Sequence, residues 1–515
     1  MFDATSLLRL YARYRRSRLA ELDPAGAQLG QLLSLVSRAK ETRFGADHRL
    51  SRVRSVKDYR AAVPLRNYED FWTTYWRGSF PVLTNATWPG RIPYFALTSG
   101  TSAGVTKHIP VSHEMVKANR RAILDLLVHH IENRPESRVL GGKSFMLGGS
   151  TDLIQCAPGV FMGDLSGIAV NEVPWWARSR YFPPRNLALI ADWEEKAGRL
   201  ARRSLSEDIR TIGGTPSWLL VLFERLRAIY SNAGGLAAYY PNLELLVHGG
   251  VNFEPYRQRF QDLLQGSHAE TREVYPASEG FIALADRGPS DGLRLLLDNG
   301  LFFEFVPVDE LGAPNPARHW IATAVEGINY ALIVTSCAGL WSYIMGDTVR
   351  FVSLRPPRIL VTGRVSYSLS AFGEHLIGEE IEGALAAAAG AIGASVTDFS
   401  VSPIYPAQTG AVGYHLYAVE FPAPVPAHDC AKFAQLLDKK LCATNADYAS
   451  HRAGNLSMLA PQIKVLPPGT FANWMRSRGK LGGQNKVPRI ILDAPLFESL
   501  LATPAANGPA PTDFV

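Results

Sequence analysis

Short apolar runs alternate with amphipathic stretches along most of the chain. This pattern is typical of an α/β protein in which sheets and helices form layers. The first 80 residues show helical spacing interrupted by connectors. Strands are predicted for an apolar run that ends near residue 98 and for four later runs, KSFMLGG, LELLVHGG, REVYPAS and LRLLLDNGLFFEFVPV, which lie between residues 143 and 308.

Two helices are predicted from periodicity in the first half of the chain. Ser112 has the side chain of an N-cap. It precedes apolar residues at helical spacing, namely Met115, Val116, Ile123, Leu124, Leu127 and Ile131. The stretch SWLLVLFERLRAIYSNAGG, from residue 217, predicts a helix that is closed by its glycines.

The pattern changes at Gly363, where the strand RILVTG is followed by a polar segment and an alanine-rich helix. Two strands, a helix near residues 427–443, the strand QIKVLPPG and a final helix near 470–479 follow. We therefore predict a large domain over residues 1–362 and a smaller, mobile α+β lid domain over residues 363–500. Residues 501–515 are rich in proline, alanine and glycine, which predicts a disordered tail.

Composition limits the classes of function. The chain has 515 residues and a net charge of +6 without a basic face, so we expect no nucleic-acid partner. No apolar run approaches the roughly 20 residues that span a bilayer, so we expect no membrane insertion. Four cysteines without CxxC or metal spacing indicate a reducing compartment and hence a cytoplasmic protein. The arginine-rich N-terminal helix is expected to pack on the protein body rather than on a membrane.

The stretch from Thr98 to Lys107 contains five hydroxyl side chains, two glycines and one lysine between two strand-like runs. Backbone amides and hydroxyls in such a loop suit phosphate oxygens, and Lys107 adds a positive charge. The spacing is not that of a P-loop. A flexible surface turn explains the loop equally well.

Three further stretches carry candidate chemistry. YPASEG, from Tyr275, places an aromatic ring that can stack on a base near the carboxylate of Glu279, which suits Mg²⁺. Asp347 follows Gly346 at a strand end and can accept both hydroxyls of a ribose. Lys486 lies in a glycine-led loop near the C-terminus. Taken singly, each stretch is better explained by an ordinary turn or a solvated side chain.

The order of these motifs along the chain resembles the adenylate-forming superfamily of acyl-CoA synthetases and luciferases. The closer resemblance is to the Gretchen Hagen family, the auxin-responsive acyl-acid amido synthetases, in a bacterial form. The stretches that carry it are TRFGADH, VPLRNYEDF, TSGTSAGVTKHIPVS, GGTPSWLLVLFERL, YPASEG, GEHL and QNKVPR. It covers about residues 28 to 492.

The resemblance implies a two-step ligase that uses ATP and Mg²⁺. A carboxylic acid is first adenylated with release of pyrophosphate, and an amine, often an amino acid, then takes the acyl group and releases AMP. The implied nucleotide-binding residues are Ser99, Gly100, Thr101, Ser102, Lys107, Tyr275, Ser278 and Asp347. The implied catalytic residues are Glu279, which would hold the metal, and Lys486, which would reach the phosphates when the small domain closes.

The substrate is less defined than the reaction. Gly249 and Gly250 are expected to let the backbone approach the acyl-adenylate, and Trp175 is expected to line an apolar acyl pocket. Ser366 stands where the superfamily often has a hinge aspartate. The rotation of the small domain is therefore expected to pivot differently, or to be smaller, than the superfamily pattern implies. Two alternative functions remain: an acyl-CoA ligase, and a non-catalytic protein that binds adenylate or acid.

Overall fold

The structure is a computed structural model of the 515-residue chain. It describes residues 2–99, 106–148, 152–188, 190, 193–230, 235–250, 253, 256–288, 291–365, 369, 372, 374, 376–405, 412–452, 458–480 and 486–504.

The described helices are α1 (Thr5–Ala20), α2 (Pro24–Ala39), α3 (Arg43–Asp47), α4 (Val56–Ala62), α5 (Tyr68–Phe71), α6 (His113–Asn133), α7 (Leu165–Asn171), α8 (Arg185–Ala188), α9 (Trp193–Ser204), α10 (Pro216–Ile229), α11 (Gly235–Tyr239), α12 (Arg257–Leu263), α13 (Gly378–Ala391), α14 (Ala427–Thr444), α15 (Ala446–Arg452), α16 (Thr470–Ser477) and α17 (Ala494–Leu501).

The described strands are β1 (Tyr94–Ser99), β2 (Thr106–Val111), β3 (Lys143–Leu147), β4 (Ile154–Ala157), β5 (Val160–Gly163), β6 (Tyr181–Phe182), β7 (Ile209–Gly214), β8 (Leu245–Gly249), β9 (Glu270–Ala277), β10 (Gly280–Leu284), β11 (Leu293–Leu295), β12 (Leu301–Pro307), β13 (Asn329–Ser336), β14 (Tyr343–Leu354), β15 (Pro357–Arg364), β16 (Asp398–Ile404), β17 (Tyr414–Glu420) and β18 (Gln462–Leu466).

The chain divides into two compact units. The first comprises Met1–Phe253 and Gln258–Val361, and the second comprises Glu254–Arg257 and Thr362–Val515. The mixed α/β class predicted from the alternating pattern is confirmed. Nothing in the pattern indicated that the short segment Glu254–Arg257 belongs to the second unit.

The largest sheet in the described part of the first unit has the strand order β12-β13-β14-β15-β11-β10-β9-β8-β7-β3-β6. From β9 through β8, β7 and β3 to β6 the strands are parallel. From β9 through β10 and β11 to β15 they are antiparallel, as are the pairs β12–β13 and β13–β14. A second sheet, β2-β1-β5-β4, carries the hydroxyl-rich loop between β1 and β2. The strand β9 is therefore the junction between the parallel and antiparallel parts.

The arginine-rich α1 packs on the first unit, as its sequence predicted. Arg15 is only 6% exposed, and its guanidinium donates hydrogen bonds to Asp125 on α6 and to Asp298. A buried guanidinium needs such carboxylate partners because an isolated buried charge is costly. No helix in the described residues is long and apolar enough to cross a membrane.

The helix α6 begins after Ser112, whose Oγ accepts the amide of Met115 at 3.0 Å, so the predicted N-cap is confirmed. The predicted apolar face is partly wrong. Ile123 and Leu124 are 41% and 40% exposed, whereas Asp125 and its polar neighbours are buried. Those buried polar side chains have ionic partners, so hydrophobicity alone does not identify the packed face.

Two other helix predictions need correction. The helix α10 ends at Ile229, because Tyr230 adopts an extended backbone with φ −121°, and no glycine closes it. The helix α16 is not the last one, since α17 (Ala494–Leu501) follows behind an Asp493 N-cap. The predicted disordered tail lies outside the described residues after residue 504, and its first residue, Leu501, ends α17.

The second unit contains the described sheet β16-β17-β18 with α13 and α14 packed on it. Its core includes Phe399, Tyr417 and Phe433, all at most 2% exposed. The strands and the helix that the sequence predicted after residue 396 are present. The predicted hinge residue Ser366 lies outside the described residues.

Candidate functional site

The hairpin between β9 and β10 presents a hydroxyl and a carboxylate on one tight turn. Ala277 lies opposite Gly280, so only Ser278 and Glu279 connect the two strands. Ser278 is 7% exposed, and Glu279 is partly exposed. The YPASEG motif thus forms a short, well-defined turn at the strand where the parallel and antiparallel parts of the sheet meet.

Asp347 lies in a β-bulge. Along β13, Ala331 pairs with Thr348 and Ile333 pairs with Ile344, so β14 holds two more residues than its partner over this interval. Gly346 has φ +86°, a conformation that favours glycine. The sequence reasoning placed Asp347 at a strand end or a hairpin turn. That placement is wrong, because the strand continues to Leu354 and the bulge turns the carboxylate out of the regular register.

A hydrogen bond joins the two motifs. The hydroxyl of Tyr275 on β9 donates to Oδ2 of Asp347 on β14 at 2.5 Å. The strands β10, β11 and β15 lie between them in the sheet order, so a flat sheet would separate β9 from β14 by about 19 Å. The antiparallel part of the sheet must therefore curl strongly, which brings two residues 72 positions apart into contact.

This bond orients the carboxylate through one of its two oxygens. An ionised carboxylate has about four lone-pair sites, and the Tyr275 hydroxyl takes one on Oδ2. Asp347 is only partly buried, whereas Tyr275 is 8% exposed. The arrangement fits a ribose diol at Asp347, which would be held by a carboxylate already locked in orientation.

The β1–β2 hairpin carries the candidate phosphate loop. Thr98 pairs with Lys107, and Ser99, the last residue of β1, pairs with Thr106. The predicted loop residues Gly100, Thr101 and Ser102 and the side chain of Ser99 lie outside the described residues. The geometry of the strands therefore supports a hairpin, and the phosphate-binding roles of its loop stay predictions.

Lys107 has an aromatic neighbour. Its ammonium lies 5.7 Å from the ring centroid of Tyr68, within cation–π range. None of the described carboxylates lies within ion-pair distance of it. The next residue, His108, packs against the rings of Trp72 and Phe80, and burial lowers the pKa of its imidazole. At neutral pH, Lys107 is therefore the positively charged side chain of β2.

The glycines after β8 have a backbone explanation. A Cβ on Gly249 would lie 2.1 Å from the carbonyl oxygen of Val274 on β9, and Gly250 has φ +86°. Close approach by the neighbouring strand β9 therefore explains Gly249. The predicted approach of this backbone to an acyl-adenylate has no independent support from that geometry.

Two other predicted site residues are exposed. Trp175, on a 3₁₀ turn at Trp175–Arg180, is 81% exposed, and this exposure does not fit the wall of an apolar acyl pocket. Lys486 lies in the second unit, and its side chain is exposed. Its predicted role in the closed state stays a prediction.

The metal prediction is compatible with the chemistry of the turn. Among the described residues, no group of three His, Cys, Asp or Glu side chains forms a metal cluster. Mg²⁺ usually needs only one or two protein carboxylates when substrate phosphates and water supply the other oxygens. The single carboxylate of Glu279 fits that mode.

Sequence reasoning gave no role to Tyr68 and Trp72, although VPLRNYEDF was noted as a family-like stretch. The sequence feature that could have identified them is the spacing of two aromatic residues at i and i+4 directly after Asn67. Asn67 and Asp70 form a reciprocal capping box that starts α5 at Tyr68.

Comparison with known proteins identifies related chains. The GH3 family N-terminal domain matches residues 14–151 and 151–269, the central domain matches 294–364, and the C-terminal domain matches 379–495. The indole-3-acetic acid-amido synthetase GH3.4 of Arabidopsis thaliana is 23% identical over 93% of this chain and 91% of its own length. GH3.8 of Oryza sativa subsp. indica is 27% identical over 44% of this chain, and the match spans only 40% of that relative.

Solved structures show the same fold. The GH3.15 acyl acid amido synthetase superposes with a TM-score of 0.78 at 17% identity, over 98% of this chain and 97% of that one. A 2-hydroxyisobutyryl-CoA ligase in its postadenylation state superposes with a TM-score of 0.61 at 14% identity, over 92% and 90%. The three family domains match in order along most of the sequence, and the chain therefore belongs to the GH3 family.

Proposed function

We propose that this protein is an ATP-dependent acyl-acid amido synthetase, which adenylates a carboxylic acid and transfers the acyl group to the amine of an amino acid. The observation that carries the proposal is the contact between Tyr275 and Asp347, which joins two motifs of a nucleotide site across the curled sheet. The family membership and the fold shared with an acyl acid amido synthetase support it. The fold shared with the CoA ligase supports a place in the adenylate-forming superfamily.

In the first step, a carboxylate oxygen attacks the α-phosphorus of ATP and the bond to pyrophosphate breaks. Catalysis of this kind depends on positioning and charge stabilisation. Asp347 would hold the ribose, the ring of Tyr275 would lie against the adenine, and Ser278 would lie near the α-phosphate. Lys107 and the loop residues Ser99, Thr101 and Ser102 would contact the other phosphates. Glu279 would hold Mg²⁺, whose chemistry there would be neutralisation of phosphate charge.

When the second unit closes, Lys486 would reach the phosphates or the adenylate and promote adenylation. Closure would also exclude water, which protects the adenylate from hydrolysis. In the second step, the amine nitrogen attacks the acyl carbonyl, loses a proton and displaces AMP. We propose the cytoplasm as the location. The four cysteines are free thiols, which supports a reducing compartment.

The test is ATP–pyrophosphate exchange with Mg²⁺ over a panel of aryl and alkyl carboxylic acids, with Asp347→Ala as the blank. Acid-dependent exchange that is absent from the variant supports adenylation and identifies the acid class. A protein that binds ATP but shows no exchange with any acid of the panel would contradict the proposal and favour a non-catalytic adenylate-binding protein.

The second candidate, an acyl-CoA ligase, is favoured by the fold shared with the 2-hydroxyisobutyryl-CoA ligase. The two functions share adenylation and differ only in the acceptor. Once an acid is known, AMP release is compared with each amino acid and with CoA. Stimulation by amino acids alone supports amide formation, whereas stimulation by CoA alone supports the thioester ligase.

A further inference from the structure

The segment that follows the stretch VPLRNYEDF packs directly beneath the outgoing strand of the phosphate loop. After α5, the residues Trp72–Trp76 form a single turn of π-helix, in which the amide of Arg77 donates to the carbonyl of Trp72 at 2.8 Å. Isolated π-turns are rare and occur frequently at functional sites. Trp72, the first residue of this turn, contacts His108 on β2.

Three aromatic side chains, Tyr68, Trp72 and Phe80, form what we call the aromatic pedestal. Trp72 stacks on Tyr68 at 5.9 Å with an interplanar angle of 17°. Phe80 meets Trp72 edge to face at 5.1 Å. The imidazole of His108 on β2 lies 5.9 Å from Trp72 and 4.9 Å from Phe80. The three rings Trp72, Phe80 and His108 therefore contact one another, and two rings of the pedestal pack against one residue of β2.

Tyr68 makes two separate contacts with β2. Its hydroxyl oxygen accepts the backbone amide of His108 at 3.0 Å, and the face of its ring lies 5.7 Å from the ammonium of Lys107. Tyr68 is 4% exposed, and burial raises the pKa of its phenol above the usual value, so the hydroxyl stays neutral. A neutral, buried ring can attract the lysine cation without neutralising its charge.

The type of neighbour matters because the ammonium of Lys107 is proposed to bind phosphate. A carboxylate partner would pair with the ammonium and compete with the nucleotide, whereas an aromatic face restricts the side chain and leaves its charge available. Restricting a flexible lysine before binding lowers the entropy lost when phosphate arrives.

From this geometry we propose that Tyr68 is a positioning residue that orients Lys107 toward the phosphates or pyrophosphate, with Trp72 and Phe80 holding β2 in place. This role rests on the proposed function of the site, and it gives the family-like stretch VPLRNYEDF a task in catalysis. Tyr68 acts through Lys107 and need not touch the nucleotide.

The test compares Tyr68→Leu, which removes the ring, with Tyr68→Phe, which keeps the ring and removes only the hydroxyl. We expect Tyr68→Leu to lower kcat/KM for ATP in pyrophosphate exchange by about 3- to 30-fold, mainly through KM for ATP. Tyr68→Phe should stay within about twofold of the wild type. Equal losses in the two variants would overturn the proposal, because they would assign the effect to the hydroxyl.

A double-mutant cycle separates positioning from a general loss of packing. In a Lys107→Gln background, Tyr68→Leu should cause no further loss beyond about twofold, because the cation that the ring orients is gone. Losses that multiply would overturn the proposal. Phe71→Leu is the matched control, since Phe71 is a fully buried ring of the same region that stacks on Trp76 at 5.1 Å. It should lower the unfolding temperature without changing KM for ATP.

Equilibrium binding of Mg–ATP provides the readout if no acid supports exchange. Weaker binding by Tyr68→Leu, with binding by Tyr68→Phe retained, would support the role of Tyr68 even if the ligase function failed. Equal binding by the wild type and both variants, or no binding by the wild type, would overturn it.

Discussion

The contact between Tyr275 and Asp347 predicts that one carboxylate serves both the fold and the nucleotide. Asp347→Asn keeps the shape of the side chain and removes its charge. A hydrogen bond to a charged group contributes about 1.5–3 kcal/mol, whereas a neutral bond contributes about 1 kcal/mol. If two ribose hydroxyls bind the carboxylate, each bond loses about 0.5–2 kcal/mol, so the substitution should weaken ATP binding by about 1–4 kcal/mol, or roughly 5- to 900-fold.

Tyr275→Phe separates the two roles. It removes the donor of the 2.5 Å bond and leaves the carboxylate and the ring in place. Because Asp347 is partly exposed, water can reach the released oxygen, so the cost in unfolding free energy should be about 1–2 kcal/mol. ATP binding should weaken less than in Asp347→Asn, since the carboxylate and its charge remain.

Isothermal titration calorimetry with Mg–ATP measures the binding, and urea unfolding measures the stability. The matched control is Asp309→Asn, which changes an exposed aspartate on the 3₁₀ turn Val308–Glu310 and should affect neither quantity. Wild-type ATP affinity in Asp347→Asn would refute the assignment of Asp347 to the ribose. A normal urea profile in Tyr275→Phe would refute the structural role of the bond.

Three further predictions concern the metal, Lys486 and a buried histidine. Glu279→Gln should slow pyrophosphate exchange at least tenfold at limiting Mg²⁺ with partial recovery at high Mg²⁺, and an unchanged Mg²⁺ dependence would contradict its role as a ligand. Lys486→Ala should lower the adenylation rate while calorimetry shows intact ATP binding, and unaltered exchange would contradict its role. His130, whose Nδ1 lies 2.7 Å from Glu270 and whose Nε2 lies 3.7 Å from Glu244, should make stability pH-dependent. Burial disfavours the charged ring, but the two carboxylates outweigh it and raise the pKa of His130. That stabilisation is fully present below the unfolded histidine pKa of about 6.5 and is lost as pH rises through the raised folded pKa. Urea unfolding from pH 6 to 9 should show this loss, and His130→Gln should abolish it; an identical pH slope in the variant would contradict the mechanism.

The two carboxylates of this cluster, Glu244 and Glu270, also make stability depend on pH, in the direction opposite to that of His130. Burial alone would raise the pKa of Glu244 and Glu270, but hydrogen bonds from neighbours including His130 outweigh it and lower both to about 2. Their contribution is therefore present above the unfolded pKa of about 4.3 and is lost as pH falls toward 2. Stability should therefore be highest between about pH 4.3, above which the carboxylate contribution is present, and about pH 6.5, below which the histidine contribution is present.

Hydrophobic periodicity was sufficient to predict most strands and the α/β class, because each strand is a local run of apolar residues. It failed on the face of α6, where Asp125 is buried with Arg15 and His130 is buried with Glu270. These partners lie more than 100 residues away in sequence, so the periodicity of the helix itself contains no information about them. Ile123 and Leu124 remain partly exposed for the same reason.

The candidate site shows a similar limit. The residue types of Tyr275, Glu279 and Asp347 pointed to nucleotide chemistry, but the bond between Tyr275 and Asp347 depends on the curl of several strands. Curl is a collective property of a sheet that arises from strand twist and bulges. A single sequence reports it only through isolated signs such as the glycine at position 346.

The bulge at Gly346 connects the fold to the proposed chemistry. In a regular ladder, the residues from Ile344 to Thr348 would alternate between the two faces of the sheet. The two additional residues in β14 break that alternation, and the positive φ of Gly346 redirects the chain just before Asp347. A Cβ at Gly346 would meet no atom within 4 Å, so crowding does not explain the glycine. Its backbone conformation does, because that conformation places the carboxylate where the Tyr275 hydroxyl can donate to it. The glycine in this motif is therefore required for the direction of the aspartate, and Gly346→Ala should disturb ATP binding through Asp347 although the site has room for a methyl group.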